Sequence, residues 1–202
     1  MQEAFIGNWT QQSHASPAHL NSLRGLNRLF LDLAGNGLVA AGPAAQVAPL
    51  SPAQRAAAAD CPYALFDLRF DDHAYWRGRL ETIGKWRVAD EARSCEDTVD
   101  FVRLALFYAW HLASSAALTA HLLLGMRADT VEAFKRLDVD ALSSLAHTET
   151  ANLAARWSGC GAYWTALVGA AAHPDPAHLR RVQLSGFQLA AAAQLPSEPR
   201  EV

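Results

Sequence analysis

The sequence has few cysteines, and none of them forms a pattern that would hold a metal or a disulfide framework. Cys61, Cys95 and Cys160 are odd in number and widely spaced. Disulfide-stapled secreted domains carry an even set of cysteines at short intervals, and structural zinc sites use CxxC pairs. The cysteine content therefore excludes both classes and favours a reducing, cytoplasmic setting.

An excess of basic residues is also missing. The 17 Lys and Arg residues are outnumbered by 20 Asp and Glu residues, which leaves a net charge of −3 at pH 7. Proteins that bind nucleic acids usually show a basic balance and clustered Lys and Arg. We therefore expect no nucleic-acid partner. The first residues, Met1 to Phe5, lack the basic and apolar regions of a signal peptide, so we expect the chain to remain in the cytoplasm.

Familiar motifs of catalysis and cofactor binding are missing as well. The sequence has no P-loop, no GxGxxG, no HExxH and no EF-hand loop. Asp71-Asp72-His73 is the most metal-like cluster, but adjacent helical positions diverge, so a helix cap explains it better. Ser158-Gly159-Cys160-Gly161 lacks the spacing of a nucleophile elbow, and Cys160 is predicted to be a small buried residue. The sequence thus predicts a protein that is not an enzyme and needs no cofactor or metal.

Apolar residues, by contrast, are abundant and make up 51% of the chain. The uncharged stretch 104–126 is long enough to span a bilayer of about 30 Å. Polar residues within it would be costly in lipid: His111, Ser114, Ser115, Thr119 and His121. We interpret the stretch as the central helix of a bundle, bent near the two serines and with its histidines at the core edge. Direct membrane insertion is not expected.

Helix start signals recur along the chain. Ser16-Pro17 and Ser51-Pro52-Ala53-Gln54 each join a capping residue to a proline at the first helical position. Further starts are predicted at Asp71-Asp72, Ser94-Cys95-Glu96-Asp97, Asp129, Asp138 or Asp140, Thr148 and Asp175-Pro176. The helix from Thr148 is expected to run through Trp164 to Ala172. The last helix is expected to bury Leu179, Val182, Phe187 and Leu189.

These signals predict an all-α fold. About seven to nine helices would form a compact bundle around the apolar helix near 100–126. Residues 1–195 would be a single helical domain, and 196–202 a flexible C-terminal tail. Residues 61–70 are the one segment that could form a strand, although no partner strand is evident.

Mixed charge is concentrated in residues 67–93. Such a run is usually a solvated helix face, but it can also be the polar rim of an interface around exposed aromatics such as Trp76 or Trp86. A pair of arginines on the last helix is a second candidate. The predicted partner-binding residues are Arg69, Asp71, Asp72, Arg77, Arg79, Lys85, Arg87, Arg180 and Arg181.

The region from about 100 to 190 carries a recognisable order of features. They are Phe101-Val102-Arg103-Leu104-Ala105-Leu106, Leu122-Leu123-Leu124-Gly125-Met126, Leu142-Ser143-Ser144-Leu145, Gly161-Ala162-Tyr163-Trp164 and Leu179-Arg180-Arg181-Val182-Gln183-Leu184. In this order the region resembles the type III secretion sorting-platform adaptor family (SctK type).

The resemblance implies a cytoplasmic adaptor, peripheral at the inner membrane through the base of a bacterial injectisome. It would link the cytosolic domain of the inner-membrane ring protein (SctD type) to the sorting-platform pod subunit (SctQ type). It implies no catalysis and no cofactor, and no functional residue is transferred because the family offers no short motif to match.

Other functions fit the same composition. A helical secretion chaperone or regulatory binding protein is one, and a chaperone would show a large exposed apolar groove. A small helical enzyme using Cys160 or the histidines is another, and it would need a reactive, accessible thiol. A single-span membrane protein through 104–126 is the third.

Overall fold

The computed structural model describes residues 15–39, 43–82 and 95–194, and within them the chain is all-α apart from one two-stranded ribbon. The helices are α1 (Pro17–Gly35), α2 (Ala44–Val47), α3 (Pro52–Ala58), α4 (His73–Thr82), α5 (Glu96–Ser115), α6 (Ala117–Leu124), α7 (Ala128–Phe134), α8 (Val139–Thr148), α9 (Gly161–Ala172) and α10 (Pro176–Gln194). The ribbon joins β1 (Phe66–Asp67) to β2 (Ala154–Ala155). The predicted tail, 196–202, lies outside the described residues.

The described residues form ten α-helices, which is more than the seven to nine predicted from the sequence. One reason is α2, a single helical turn in a segment of small residues that is predicted to be a loop. The other is that the apolar stretch forms two helices, α5 and α6, instead of one bent helix. The compact all-α fold itself is confirmed.

Most predicted helix starts are confirmed by side-chain caps. The Ser16 hydroxyl accepts from the His19 N–H at 3.2 Å, and Ser51 with Gln54 forms the full reciprocal capping box. Asp138, not Asp140, caps α8 by accepting from the Ala141 N–H at 2.7 Å. The Asp129 prediction is wrong, because α7 begins at Ala128 and ends at Phe134. Ser94 lies outside the described residues.

The apolar stretch breaks at Ala116, whose φ of −152° and ψ of 64° are not helical. In the residue directly before the break, the Ser115 hydroxyl donates to the carbonyl of His111, one turn earlier, at 2.7 Å. Gly125 then ends α6 in the left-handed conformation, with φ of 76°. Among the described helices, none combines the length and apolarity needed to cross a membrane.

The ribbon corrects the prediction for residues 148–160. Phe66 pairs with Ala155 and Asp67 with Ala154, in antiparallel register. The predicted helix from Thr148 is therefore wrong, and α9 begins only at Gly161. Trp157 explains the interruption, because its φ of 54° belongs to the left-handed region and cannot continue a right-handed helix.

The core is built around α5, which packs against α1, α6, α7 and α8. Phe101 of α5 lies 5.2 Å from Phe66 and 6.0 Å from Phe30 between ring centroids. All three rings are buried. These rings join α5 to earlier elements of the chain in one core, because Phe30 belongs to α1 and Phe66 to β1.

Asn27 is a fully buried polar residue in the middle of α1. Its amide nitrogen donates to the carbonyls of Tyr63 at 2.9 Å and Ala59 at 3.3 Å. Its amide oxygen accepts from the Leu65 N–H at 2.9 Å. One side chain therefore satisfies three backbone groups of the irregular segment 59–65.

The last helix docks through its backbone as much as through its side chains. The Tyr63 hydroxyl donates to the Gln183 carbonyl at 2.6 Å and lies 2.9 Å from the Tyr163 hydroxyl. Gly186 is buried at this contact, and Phe187 packs edge-on against the Tyr63 ring, 5.5 Å between centroids, with 43% of its surface still exposed. The prediction that Phe187 is buried is therefore wrong, whereas Leu179, Val182 and Leu189 are partly buried against the core.

We expect Gly186→Ala to lower the free energy of unfolding by about 1–3 kcal/mol, as overpacking does in a filled core. A Cβ at this position would lie 2.0 Å from the buried Tyr63 hydroxyl oxygen, so α10 has to move outward. Urea unfolding followed by circular dichroism measures the change.

Gly169→Ala in α9 is the matched control. A Cβ at Gly169 meets nothing within 4 Å, so the helical propensity of alanine should raise stability by about 0.5–1 kcal/mol. Equal effects of the two substitutions would show that α10 does not dock on Tyr63 as described.

Candidate partner-binding surface

Three of the predicted contact residues line one open concavity at the start of α4. It has a volume of about 360 Å³ and is lined by Arg69, Asp71, Asp72, His73 and Arg127. Arg127 is the residue immediately before α7, and α7 packs against α4. The concavity is therefore a mixed-charge surface assembled from two sequence regions.

Arg69 is held in an uncommon backbone conformation, with φ of 58°. Its guanidinium lies 4.1 Å from the centre of the Tyr75 ring and 2.5 Å from an Asp72 carboxylate oxygen. Its carbonyl accepts from the Trp76 indole N–H at 3.0 Å. Backbone, charge and ring contacts together fix the direction in which this exposed arginine points.

Asp72 caps α4, as predicted for the Asp71-Asp72 pair. Its Oδ1 accepts from the Tyr75 N–H at 2.9 Å. That hydrogen bond, followed by the neighbouring Arg69, lowers the pKa of Asp72 below its usual value. Asp72 is therefore committed to the helix start, whereas Asp71 is exposed.

Arg79 contributes to a buried network and presents little free surface. Only 15% of its side chain is exposed, and its Nε donates to Glu149 Oε1 at 2.7 Å. Glu149 is fully buried and also accepts from the Tyr75 hydroxyl at 2.6 Å and from the Asn152 amide at 2.8 Å. Arg79 also donates to the Thr148 hydroxyl at 2.6 Å. The network fastens α4 to the end of α8.

The remaining predicted residues on this side differ in accessibility. Arg77 is exposed on α4. Lys85 and Arg87 lie outside the described residues, as does Trp86. Trp76 is fully buried against Phe134, with ring centroids 4.7 Å apart, so the expectation of an exposed aromatic there is wrong. Its indole belongs to the core because α4 packs against α7 through this side chain.

Arg180 and Arg181 are exposed near the start of α10. Arg181 lies 3.8 Å from Asp175, a distance at which an exposed pair contributes little. The structure places these arginines on α10, which packs against α9, and Arg69 and Arg77 on the side of α4 and α7. Among the described residues of the predicted set, the exposed arginines thus lie on two different parts of the fold.

Sequence reasoning missed Arg127 because 54 or more positions separate it from the other residues that line the concavity, and no local pattern marks it. Its N–H donates to the Phe70 carbonyl at 3.4 Å, which places it beside Arg69 and Asp71. A second concavity, of about 500 Å³, was also missed; it lies between α1 and α3 beside Arg24, Arg28 and Asp60.

The three cysteines differ in how far they are buried. Burial raises the pKa of Cys61 to about 12, so its thiol stays protonated. Cys160 is half-buried, so the prediction that it lies inside the core is only partly met. Cys95 is exposed at the start of α5.

The histidines of the apolar stretch differ from each other. His121 is half-buried, and its Nδ1 lies 2.8 Å from the Met126 carbonyl, as expected of a core-edge residue. His111 is exposed, with its ring 5.6 Å from that of His19, so its predicted place at the core edge is wrong. In the described residues, no three His, Cys, Asp or Glu side chains are placed to hold a metal ion.

Arg156 is the most deeply buried cation of the described residues, and its contacts are structural. Its Nη1 donates to the Leu123 carbonyl at 2.9 Å, and its guanidinium lies 4.8 Å from the Trp157 ring. It packs over Gly125, where a Cβ would lie 2.5 Å from Nη2. Burial lowers the pKa of Arg156 below its usual value.

Comparison with known protein families, with curated proteins and with solved structures found no match to this chain.

Proposed function

We propose that this chain is a protein-binding adaptor of a type III secretion sorting platform (SctK type). It would act in the bacterial cytoplasm, peripheral at the inner membrane, and join the cytosolic domain of the ring protein to the pod subunit. The observation that carries the proposal is the convergence of Arg69, Asp71 and Asp72 on one open, mixed-charge concavity. The choice of this family rests on the resemblance in the order of features across residues 100–190.

The use of the buried polar groups supports binding over catalysis. Glu149, Asn27 and Arg156 each bond groups that hold helices or extended segments together. Since Glu149 and Asn27 have no exposed surface, they are inaccessible to a substrate. The other ionisable side chains lie mostly on the surface, and charged surface side chains suit recognition of another protein.

An adaptor requires two binding surfaces on one rigid body. The concavity around Arg69 belongs to α4 and α7, and the arginine pair belongs to α10, which docks on α9. The shared core around α5 connects these regions. Several copies assembled on a ring can use individually weak contacts, because multivalency raises the effective concentration of each site.

Co-purification tests the proposal. The chain is expressed with the pod subunit and, separately, with the cytosolic domain of the inner-membrane ring protein, and each mixture is analysed by size-exclusion chromatography with light scattering. We expect a stable or rapidly exchanging complex with each. A folded chain that binds neither protein would overturn the proposal and favour a secretion chaperone or regulatory binding protein.

A charge-reversal pair locates the surface. Arg69→Glu with Arg77→Glu should weaken one of the two complexes by about tenfold or more, because like charges then face each other. Arg79 is left unchanged, since its loss would break the Glu149 network. Arg28→Glu with Arg136→Glu, two exposed positions elsewhere, gives the same change in net charge. Equal weakening by both pairs would exclude a specific contact at the concavity.

A further inference from the structure

The outward side of α10 carries a stripe of apolar residues preceded by positive charge. Leu184 is 56% exposed and Phe187 43% exposed, values that are high for large apolar side chains on a helix. Arg180 precedes them by one turn, on the same side, and Arg181 lies beside it. The helix PAHLRRVQLSGFQLAAAAQ has no acidic residue at all. This face is therefore suited to a negatively charged, partly apolar helix.

The outward side of α5 has that composition. Asp97 and Asp100 are exposed in its first turns, and Leu104 follows with 51% of its surface exposed. Phe107, one turn further on, is half-buried and packs partly against the core. Asp100 also contacts Arg103 of the same helix at 2.5 Å, an exposed pair that can exchange partners at little cost.

The two stripes share one register. On α5 the positions are Asp100, Leu104 and Phe107, and on α10 they are Arg180, Leu184 and Phe187. The spacings of four and then three residues are those of helices that pack side by side along a heptad seam. Laid parallel, the helices bring Asp100 to Arg180, Leu104 to Leu184 and Phe107 to Phe187 together.

We propose that α10 of one copy of this chain docks along the outward face of α5 of a second copy. On both helices the charged residues lie toward the N-terminal end of the stripe and the apolar residues toward the C-terminal end. Only a parallel arrangement therefore brings the opposite charges together and the apolar residues together. The inference goes beyond the proposed function and requires neither the ring protein nor the pod subunit. It does make self-association and a partner bound at Arg180 and Arg181 mutually exclusive.

The contact is heterologous, because it uses a different face on each copy. Each bound copy still offers its other face, so association continues to further copies unless the geometry closes a ring. One helix pair buries a small area, and small interfaces are weak and transient. The expected behaviour is a gradual, concentration-dependent rise in mass and not a fixed dimer.

Sedimentation velocity and light scattering on the full chain test this proposal. Across a concentration series at low salt, the weight-average mass should rise above 21.8 kDa, and high salt should lower it because exposed charges are screened. Arg180→Glu with Arg181→Glu should weaken association by about tenfold or more. Asp97→Lys with Asp100→Lys should do the same, and circular dichroism checks that each variant is folded.

Mixing the two charge-reversed proteins is the decisive step. In each charge-reversed protein alone, α10 and the face of α5 carry charges of the same sign and repel each other. In the mixture, the acidic α10 of one protein meets the basic α5 of the other, and the basic α10 meets the acidic α5. Association should therefore return only in the mixture. Leu104→Ser and Leu184→Ser, which leave charges and caps unchanged, should each weaken association of the otherwise unaltered chain.

Arg28→Glu with Arg136→Glu changes the net charge as much as the Arg180 and Arg181 pair does, and this control should associate like the unaltered chain. A chain that stays at its monomer mass throughout the series would overturn the proposal. So would association that the charge reversals leave unchanged, or a mixture that behaves like its components. Because no partner protein is present, a failure of self-association in these experiments is distinguishable from a failure of the adaptor function.

Discussion

Replacing Glu149 with alanine should lower the free energy of unfolding by about 3–5 kcal/mol, the range found when one member of a buried ion pair is removed. Glu149 is fully buried and accepts from Arg79, Tyr75 and Asn152. Its loss leaves the Arg79 guanidinium, with 15% of the side chain exposed, beside a cavity and without its carboxylate. Urea unfolding with circular dichroism detection measures the change.

Glu132→Ala is the matched control for this substitution. Glu132 also pairs with a cation, Lys135 at 2.6 Å, but 63% of its side chain is exposed. Its replacement should change stability by less than about 1 kcal/mol, as for other exposed pairs. If Glu149→Ala were no more damaging than Glu132→Ala, the network would not hold α4 in place. A double-mutant cycle with Arg79→Met should show that the two losses are not additive.

Asn27→Ala should lower the free energy of unfolding by about 2–5 kcal/mol, since each buried polar group left without a partner costs about 1–3 kcal/mol. The substitution removes the partners of the Tyr63 carbonyl and the Leu65 N–H, which lie on the segment leading into β1. Thermal and urea unfolding, together with amide exchange at Leu65, measure the effect. Exchange at Leu65 should accelerate more than exchange in α8, because the lost bonds are local.

Asn21→Ala provides the comparison within the same helix. Asn21 is exposed and accepts only a long contact of 3.4 Å from Arg24. Alanine has the higher helix propensity, so stability should stay the same or rise by up to about 0.7 kcal/mol. A similar response at positions 21 and 27 would contradict the role assigned to Asn27.

The helix starts were predictable because their causes are local. Ser51 and Gln54 lie three residues apart and satisfy each other, whatever the rest of the chain does. Asp72 and Asp138 act within a single turn in the same way. The central position of α5 was predictable too, because a helix with so many apolar residues has to be covered by its neighbours.

The ribbon and the break at Trp157 were not predictable, because their causes lie far along the chain. Residues 154–155 are two alanines whose extended form depends on Phe66 and Asp67 across the ribbon. Local propensity favours a helix there, and tertiary pairing overrides it. The orientation of α10 is similar: the contact with Tyr63, more than a hundred positions earlier, requires glycine at 186 and leaves Phe187 43% exposed.

The candidate surface was predictable only in part for the same reason. The local charge run identified Arg69, Asp71 and Asp72, but their convergence with Arg127 depends on the packing of α4 against α7. Arg79 illustrates the opposite error. Its place in a charged run suggested solvent exposure, whereas a glutamate 70 positions later draws it into the protein.

The long-range links described above also bear on how the chain is made. Tyr63 meets Tyr163 across 100 positions, and Arg79 meets Glu149 across 70. A chain emerging from the ribosome therefore displays Tyr63, Phe66 and their neighbours well before the residues that cover them have been synthesised. Surface of this kind is prone to aggregation until the later helices arrive. We therefore expect the first half of the protein to need protection from aggregation until α8 and α9 have been made.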